Sequence, residues 1–316
     1  MAKKSSIALI SLFKRLCLHF SKTEIGEAID NLQFLIPTHM MEDSLWMQLR
    51  RESEAVVRQE PKLSILFQEC LLKWSSFEEA LSVRLARKLS SQAFCLETLQ
   101  ELLLTAFSST TTIQNQMRQD ILAVKDRDPA CEQVLIPFFY FKGFHALCTY
   151  RAAHYYWQKG DHHLALYLQS ILSATLAVDI HPAARIGSGI LLDHATNFVA
   201  GETTVIEDNV SILHEVTLGG TGKEQGDRHP KVRQGVLIGS GAKILGNIEI
   251  GTGAKVGAGS VVLNDVSPHT TVAGVPAKTV SKATGKATGD SPALCMDHHL
   301  ESGADQSNKE SVPESF

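Results

Sequence analysis

The sequence lacks several features that would indicate common protein classes. No run of the 316 residues approaches the roughly 18 apolar residues of a membrane-spanning helix, so no membrane association is expected. The six cysteines are scattered and form no C-x-x-C pair, which argues against a zinc ribbon or a thioredoxin-like centre and indicates a reducing compartment. The net charge of −4 provides no general positive field for nucleic acid.

The N-terminus also lacks a secretory signal. Lys3 and Lys4 precede a short apolar run, but Lys14 and Arg15 interrupt it, and no small-residue cleavage site follows. No acidic residue precedes Glu24, a composition that organelle transit peptides share. We therefore expect residues 1–41 to form an N-terminal extension of a cytoplasmic protein, with organelle targeting left open.

Glycine is nearly absent between about residues 24 and 170, as expected for packed helices. One apolar face has four-residue spacing and consists of Phe77, Leu81, Leu85 and Leu89. Ser75 and Glu78, just before it, have the spacing of a capping box. The pattern predicts an all-α domain over residues 42–175.

The sequence changes character after about Val178, where an apolar residue begins to recur at every sixth position. One register comprises Ile180, Ile186, Leu192, Phe198, Val210 and Val216, with Thr204 as an exception. A second comprises Val232, Ile238, Ile244, Ile250, Val256 and Val262. This period is typical of a parallel β-helix in which three hexads make one triangular coil. It predicts a β-helix over residues 176–280, followed by a polar, flexible tail over residues 281–316.

The two registers are out of phase, because Val216 and Val232 are not separated by a whole number of hexads. The intervening segment, from Gly219 to Pro230, is polar and glycine-rich, so it predicts an extruded loop of the kind that often carries function. Its Gly220–Lys223 run is not a Walker loop, because Glu224 follows the lysine where serine or threonine is required.

Two spacings within the hexads suggest chemistry. The separation of Asp179 and His194 falls half a hexad short of a full coil, which predicts adjacent coils near the same corner. A carboxylate that supports a histidine can orient a general base. Ser240 and Ala258 are separated by one full coil of three hexads, so they should stack as small side chains. Coil packing alone favours small residues there, and such residues also leave room for the thin pantetheine arm of coenzyme A.

These segments together resemble the serine O-acetyltransferases of the hexapeptide-repeat acyltransferase superfamily. The similarity covers roughly residues 42–280 and rests on Asp179–Val199, on the GGTGK and GDRHPK sequences of the loop, and on RDPA and YFKGFHAL upstream. It implies an α + β protein: an N-terminal all-α oligomerisation domain, a left-handed parallel β-helix that carries catalysis, and a disordered tail. It also implies a homo-oligomer, either a trimer or a dimer of trimers that forms a hexamer.

The resemblance further implies an activity and its ligands. The acetyl group of acetyl-CoA would pass to the hydroxyl of L-serine and give O-acetyl-L-serine, the first step of cysteine biosynthesis from serine. No metal is implied, and L-cysteine is the expected feedback inhibitor.

The resemblance also assigns roles to individual residues. His194 is the general base, Asp179 holds its imidazole, and His229 lines the reacting centre. The substrate ammonium meets Asp128 and Asp193, and its carboxylate meets Arg228 and His229. The coenzyme is expected to contact Gly220, Ser240 and Ala258.

Two positions depart from the family pattern. Asn197 replaces the glycine of D-H-A-T-G, and asparagine tolerates the left-handed conformation better than most residues. The family's tail usually ends in isoleucine, which enters the active site of O-acetylserine sulfhydrylase. This sequence ends in Phe316, which weighs against a complex with that enzyme.

Three other functions fit the sequence less well. A β-helical carbonic anhydrase needs two zinc histidines five positions apart, a pair that the sequence lacks at His181, His194, His214 and His229. An acyltransferase for another small hydroxyl acceptor, such as homoserine or a sugar, is disfavoured by the RDPA and GDRHPK sequences. A catalytically inactive regulatory subunit is disfavoured because every implied site residue is present.

Overall fold

The computed structural model describes residues 38–92, 94–222, 225–282, 291–296 and 298–300, and for residues 38–43 it describes the backbone alone. The chain divides into two compact units, residues 1–47 and 48–316. All packing discussed below lies within the second unit, and most of the predicted extension over residues 1–41 lies outside the described residues. No helix in the described ranges is long and apolar enough to cross a membrane.

The described N-terminal part is helical, as predicted. Its α-helices are α1 Thr38–Gln59, α2 Ser64–Phe67, α3 Phe77–Leu89, α4 Leu96–Phe107, α5 Thr111–Arg127, α6 Leu135–Phe139, α7 Lys142–Lys159 and α8 His162–Leu176. A 3-10 turn at Pro61–Leu63 and a π-helical turn at Gln68–Leu72 flank α2.

Helix α3 confirms its predicted apolar face and corrects its predicted cap. Phe77, Leu81, Leu85 and Leu89 are all buried. The N-cap is Ser76, whose hydroxyl accepts from the Glu79 N–H at 3.2 Å, so the capping residues lie one position later than Ser75 and Glu78. Glu78 instead pairs with Arg118 Nη1 at 2.6 Å.

The rest of the fold is a parallel β-helix. Its strands are β1 Val178–Ile180, β2 Arg185–Ile186, β3 Leu191–Leu192, β4 Phe198–Ala200, β5 Val205–Ile206, β6 Ser211–Ile212, β7 Thr217–Gly219, β8 Lys231–Val232, β9 Leu237–Ile238, β10 Lys243–Leu245, β11 Glu249–Ile250, β12 Lys255–Val256, β13 Val261–Val262, β14 Thr270–Gly274 and β15 Ala277–Lys282. They form sheet A (β1-β4-β7-β10-β13), sheet B (β11-β8-β5-β2) and sheet C (β15-β14-β12-β9-β6-β3). Each sheet makes one side of a triangular prism, and the final pair β14–β15 is antiparallel.

The strand register corrects the first of the two hexad registers. Ile180 pairs with Ala200 rather than with Phe198, so the first coil is two positions longer than a regular coil. The surplus falls in the turn 193–197, between β3 and β4. The apolar residues that stack from coil to coil therefore include Ala200 and Ile206. Thr204 lies two positions before Ile206, at a buried position of the hexad that holds alanine elsewhere, at Ala184, Ala242 and Ala254. The extruded loop is confirmed, since Val205 pairs directly with Lys231, beyond the polar segment.

Helix α7 covers the open edge of the first coil. The Tyr150 hydroxyl donates to the Ala184 carbonyl, Arg151 Nη2 donates to the Gly187 carbonyl at 2.7 Å, and His154 Nδ1 lies 2.7 Å from the Pro182 carbonyl. Arg151 is itself held by a buried ion pair with Asp120 on α5 at 2.5 Å. These contacts satisfy backbone groups that an edge strand would otherwise leave unpaired.

Part of the segment predicted as a flexible tail is folded. Residues 281–282 still belong to β15, and α9 (Pro292–Cys295) packs on sheet C. Ala293 is fully buried there, its carbonyl accepts from Ser211 Oγ at 2.8 Å, and Ser291 Oγ donates to the Gly235 carbonyl. The sequence did not predict this docked segment, because the average composition of residues 281–316 is polar. Residues 283–290, 297 and 301–316, including Phe316, lie outside the described residues.

Candidate active site

Two corners of the prism carry the residues that the sequence suggested. The CA corner joins sheet C to sheet A and comprises residues 193–197, 213–216, 239–242 and 257–260. The AB corner joins sheet A to sheet B and comprises, among the described residues, 181–184, 201–204, 220–222, 225–230 and 246–248. They stand at opposite ends of the strands of sheet A.

His194 lies on the CA corner with its imidazole facing solvent. Its side chain is 75% exposed, and its Nε2 lies 3.8 Å from Asp193 Oδ2. The ring of His214, one coil further along, stands nearly perpendicular to it with the centroids 5.7 Å apart. The Nδ1 atom of His214 is buried without a hydrogen-bond partner among the described residues. His194 is therefore available to a ligand that approaches this corner.

The turn that carries His194 has an unusual backbone. His194, Ala195 and Asn197 have φ values of 53°, 55° and 58°, in the left-handed region that L-residues rarely adopt. Asn197 tolerates this conformation as predicted, because asparagine visits it more readily than most residues. Two short bonds lie within the turn, from the Ala195 N–H to the Asp193 carbonyl at 2.5 Å and from the Thr196 N–H to the His194 carbonyl at 2.7 Å.

Asp179 lies on β1, in register with Val199 of β4. Its Oδ1 accepts from Gln169 Nε2 at 2.6 Å. In the part of the chain that the structure describes, no hydrogen bond joins Asp179 to His194. Catalytic hydrogen bonds are often long in a free enzyme and shorten when substrate binds, so the pairing of these two residues stays a prediction.

Small residues extend the CA corner away from His194. Leu237 pairs with Lys255 across β9 and β12, and this register places Ser240 and Ala258 at equivalent positions of adjacent coils. The coils lie so close here that a Cβ on Gly239 would be 2.6 Å from the Ala258 nitrogen. Beyond His214, the two coils that carry Ser240 and Ala258 are therefore narrow and free of large side chains at this corner, which suits a thin extended ligand.

Asp128 lies at the C-terminal end of α5, in the helical domain. It follows the last residue of α5, and its Oδ1 accepts from the Ala130 N–H at 2.8 Å. Cys131 in the same turn packs against Leu191, just upstream of Asp193. Burial raises the pKa of the Cys131 thiol to about 11, an effect that the Asp128 charge reinforces, so the thiol is protonated and packs as an apolar group.

The AB corner contains the extruded loop. Arg228 Nη2 donates to Glu202 Oε2 at 2.7 Å, and Lys231 Nζ donates to Asp227 Oδ1 at 2.5 Å. A Cβ on Gly220 would lie 3.4 Å from Arg228 Cγ, so this glycine is in contact with the arginine stem. Arg228 is 29% exposed at its side chain and can still meet an incoming anion.

His229 is held in one protonation state by Thr203. Only 8% of the residue is exposed, and its ring occupies the space above Gly201, where a Cβ would lie 2.0 Å from Nε2. The Thr203 N–H donates to His229 Nδ1 at 3.2 Å, and since that group can only donate, Nδ1 carries no proton. Burial, and then the Arg228 charge, lower the pKa of His229. We infer that the neutral ring has its proton on Nε2.

Thr203 also fixes the loop backbone next to His229. Its hydroxyl accepts from the Arg228 N–H at 3.0 Å and from the His229 N–H at 3.1 Å. The same oxygen lies 2.9 Å from His229 Nδ1. One threonine thus sets both the position of the two loop residues and the tautomer of the imidazole.

The structure separates the implied site residues into two groups. The CA corner carries His194, Asp193, Ser240 and Ala258, and the AB corner carries Arg228, His229 and Gly220. Asp128, at the end of α5, and Asp179, on β1, belong to neither corner. The short strands of sheet A separate the groups by on the order of 10 Å, more than the length of an amino acid such as serine. One chain alone does not unite the two groups.

Sequence reasoning missed three residues at these corners: His214, Thr203 and Lys142. His214 stands one coil after His194, in the register that pairs Leu191 with Ser211, so the spacing would have revealed it had the surplus in the first coil been recognised. Thr203 and Lys142 act through side-chain hydrogen bonds that no spacing encodes. Among the described residues, no group of three or more His, Cys, Asp or Glu side chains could hold a metal ion.

Comparison with known proteins gives consistent matches along the chain. Residues 45–149 match the family described as "Serine acetyltransferase, N-terminal", and residues 229–264 match "Bacterial transferase hexapeptide (six repeats)". The serine acetyltransferase of Escherichia coli K12 is 51% identical over 256 residues, which cover 81% of this chain and 92% of that protein.

Three solved structures show the ligands of similar proteins. A Brucella abortus serine acetyltransferase in complex with coenzyme A has 49% identity and a TM-score of 0.74, with coverage of 76% of this chain and 96% of that one. A soybean serine acetyltransferase complexed with serine has 51% identity, a TM-score of 0.74 and coverage of 76% and 98%. A serine acetyltransferase complex with cysteine has 49% identity, a TM-score of 0.78 and coverage of 82% and 99%.

Proposed function

Because the chain belongs to the serine acetyltransferase family, its activity is the transfer of an acetyl group from acetyl-CoA to the hydroxyl of L-serine, and we propose that two copies of the chain build each active site. The product is O-acetyl-L-serine, an intermediate of cysteine biosynthesis. The observation that carries the proposal is that one chain holds His194 and Asp193 at the CA corner and Arg228 with His229 at the AB corner, separated by on the order of 10 Å along sheet A.

His194 is the general base in this proposal. A neutral imidazole takes the proton of the serine hydroxyl while the oxygen attacks the acetyl carbonyl. Backbone N–H groups stabilise the tetrahedral oxyanion. When the carbon–sulfur bond breaks, the proton passes from His194 to the sulfur of coenzyme A, and a new ester bond remains on serine. Asp179 orients the imidazole once substrate is bound.

The remaining residues bind the amino acid and the coenzyme. Asp128 and Asp193 attract the substrate ammonium, and Arg228 with the Nε2–H of His229 bind the carboxylate. His229 cannot serve as the base through Nδ1, since that atom already accepts from Thr203. The pantetheine arm lies along Ser240 and Ala258 and ends near Gly220.

A trimer would join the two halves of this site. In the trimer that we propose, the CA corner of one copy packs against the AB corner of the next, a head-to-tail contact that closes after three copies. The residues that the single chain holds apart then face the same groove. We further propose that two trimers associate through the α-helical domain, residues 42–175, to give a hexamer. Light scattering that showed a monomer at micromolar concentration would contradict this assembly.

The activity itself is tested by acceptor choice. Thiol release from acetyl-CoA is measured with L-serine, with L-homoserine and without acceptor. We expect release with L-serine alone. Faster release with homoserine would identify an acyltransferase for another small hydroxyl acceptor, the second function that the sequence left open. L-cysteine, which shares the ammonium and carboxylate of serine, is expected to compete with serine for the same groups.

The shared site is tested by mixing two defective variants. His194→Ala lacks the CA base, and the double variant Arg228→Ala/His229→Ala lacks the AB contacts. If they co-assemble at random in trimers, about a quarter of the sites contain one intact corner of each kind. At serine concentrations where neither variant alone is active, co-expression should restore roughly that fraction of activity. No gain over the separate variants would show that each chain works alone.

A further inference from the structure

The turn 193–197 carries the proposed base His194 and is called the catalytic turn below. It contains three non-glycine residues with positive φ, at His194, Ala195 and Asn197. Residues held in this region cost on the order of 1–3 kcal/mol each and persist only when the surroundings hold them. The hydrogen bonds within the turn, the two short ones and one from the Phe198 N–H to the Ala195 carbonyl at 3.1 Å, join only near neighbours in sequence and do not fix the turn against the rest of the protein. Neighbouring segments add two more bonds, from the Asn197 N–H to the Ala177 carbonyl and from the Glu215 N–H to the Thr196 carbonyl, both at 2.7 Å. The turn has one further partner, in the helical domain.

That partner is the first turn of α7. Gly143 lies against the last residue of β3, so closely that a Cβ at this position would be 1.9 Å from the Leu192 carbonyl oxygen. The approach is possible only because glycine has no side chain. Gly143 therefore fixes the backbone immediately before Asp193 and His194.

Lys142 holds the other side of the same turn. Its Nζ donates to Thr196 Oγ1 at 2.5 Å, and Thr196 Oγ1 lies 3.4 Å from the His194 carbonyl oxygen. No ion pair of Lys142 with a carboxylate is found in the described ranges. The hydrogen bond to Thr196 therefore links helix α7 directly to the turn that carries His194.

We propose that Lys142 and Gly143 are positioning residues of the transfer reaction. They hold the turn from both ends and so direct the His194 imidazole towards the serine hydroxyl. The lysine and glycine belong to the YFKGFHAL segment, whose role the site residues do not explain. The proposal rests on the proposed function, because it acts through His194 as the base.

The test compares variants that keep the shape of the side chain. Lys142→Met keeps most of the stem and removes the ammonium, and Thr196→Val removes the acceptor. A misplacement of about 1 Å can cost about a hundredfold in rate, so we expect kcat to fall by about tenfold to a hundredfold in each variant. KM for acetyl-CoA and the thermal midpoint should stay near the wild-type values. Lys142→Arg and Thr196→Ser, which preserve donor and acceptor, should recover most of kcat.

A double variant separates positioning from independent effects. If the lysine and the threonine act through one contact, Lys142→Met/Thr196→Val loses no more than either single variant. Losses that multiply would overturn the proposal, as would an unchanged kcat in Lys142→Met. The matched control is Lys159→Met, at the exposed far end of the same helix, which should keep wild-type kinetics.

His194→Ala, measured in parallel, distinguishes a failure of the base assignment from a failure of the positioning role. If His194→Ala keeps its turnover, the base assignment fails, whatever Lys142 does. If His194→Ala is inactive and Lys142→Met is unimpaired, the proposed function stands and the positioning role fails. Gly143→Ala adds a steric test, and calorimetric binding of the coenzyme shows whether the variant is folded. A variant that binds the coenzyme but has lost turnover supports the positioning role. Normal turnover refutes it.

Discussion

The CA and AB corners use histidine in opposite ways. His194 is largely exposed, sits on a backbone that needs outside support, and has no fixed donor at its ring nitrogens among the described residues. His229 is buried, rests on Gly201, and accepts from Thr203. A group that must take up and release a proton needs freedom at its nitrogens. A group that must always present the same donor needs its tautomer fixed, and the two corners provide these conditions separately.

Removal of the exposed histidine is expected to have the largest effect. In His194→Ala the hydroxyl has no acceptor for its proton, so kcat should fall by about 10²–10⁴-fold. Calorimetry should show that acetyl-CoA still binds, since Ser240 and Ala258 are intact. Asp179→Asn should lose less, because water or backbone groups can partly hold the ring. If His194→Ala kept near-normal kcat while His229→Ala lost it, the roles of the two corners would be reversed.

Removal of the buried histidine should affect binding rather than turnover. A hydrogen bond to a charged group contributes about 1.5–3 kcal/mol, so His229→Ala should raise KM for serine by roughly 10- to 100-fold. Its kcat at saturating serine should change much less than in His194→Ala. Steady-state kinetics over a wide serine range provide the measurement. His163→Ala, an exposed histidine on α8, serves as the control and should leave both constants unchanged.

Loosening the loop backbone around the buried histidine tests whether the position of its ring matters. Thr203→Val removes the hydroxyl that accepts from the Arg228 and His229 N–H groups but leaves the Thr203 N–H in place. A neutral hydrogen bond contributes about 0.5–1.5 kcal/mol, so KM for serine should rise by about two- to tenfold. Thr203→Ser should recover the wild-type value. An equally large loss in the serine variant would show that the methyl group, rather than the hydroxyl, is required.

The smallest effect concerns the adjacent threonine. Thr204 Oγ1 is buried and has no hydrogen-bond partner among the described residues, whereas the Thr203 hydroxyl contacts both Arg228 and His229. Thr204→Val replaces the unsatisfied hydroxyl with a methyl group of similar size. We expect the free energy of unfolding to rise by up to about 1 kcal/mol, with unchanged kinetics. A lower thermal midpoint in this variant would indicate that the hydroxyl is satisfied in solution.

Periodicity is sufficient to predict the architecture but not the assembly of the site. The helical face at Phe77 and the period of six are repeated many times, so one local irregularity cannot obscure them. The two extra residues in the turn 193–197 cannot be detected by counting hexads. Phe198 lies six positions after Leu192 and so keeps the count, but the residue that stacks on Ile180 is Ala200. The spacing of Ser240 and Ala258 is predicted correctly because the later coils are regular.

Side-chain contacts between distant segments could not be predicted from spacing. Thr203 meets His229 across the coil that contains the extruded loop, and Lys142 reaches Thr196 from another domain. Both depend on how the loop and helix α7 fold back, which single-residue patterns do not encode. The docking of Ala293 on sheet C has the same origin, because a few apolar residues in a polar segment fit one surface.

The cover that α7 places over the first coil has a consequence for the behaviour of the protein in concentrated solution. A solenoid has no intrinsic length, and a bare terminal coil can accept a strand from another molecule as readily as from its own chain. Tyr150, Arg151 and His154 occupy the carbonyls on which such growth would begin. The helical domain therefore acts as a stop to end-to-end polymerisation, and damage to α7 would be expected to release fibres rather than soluble monomers.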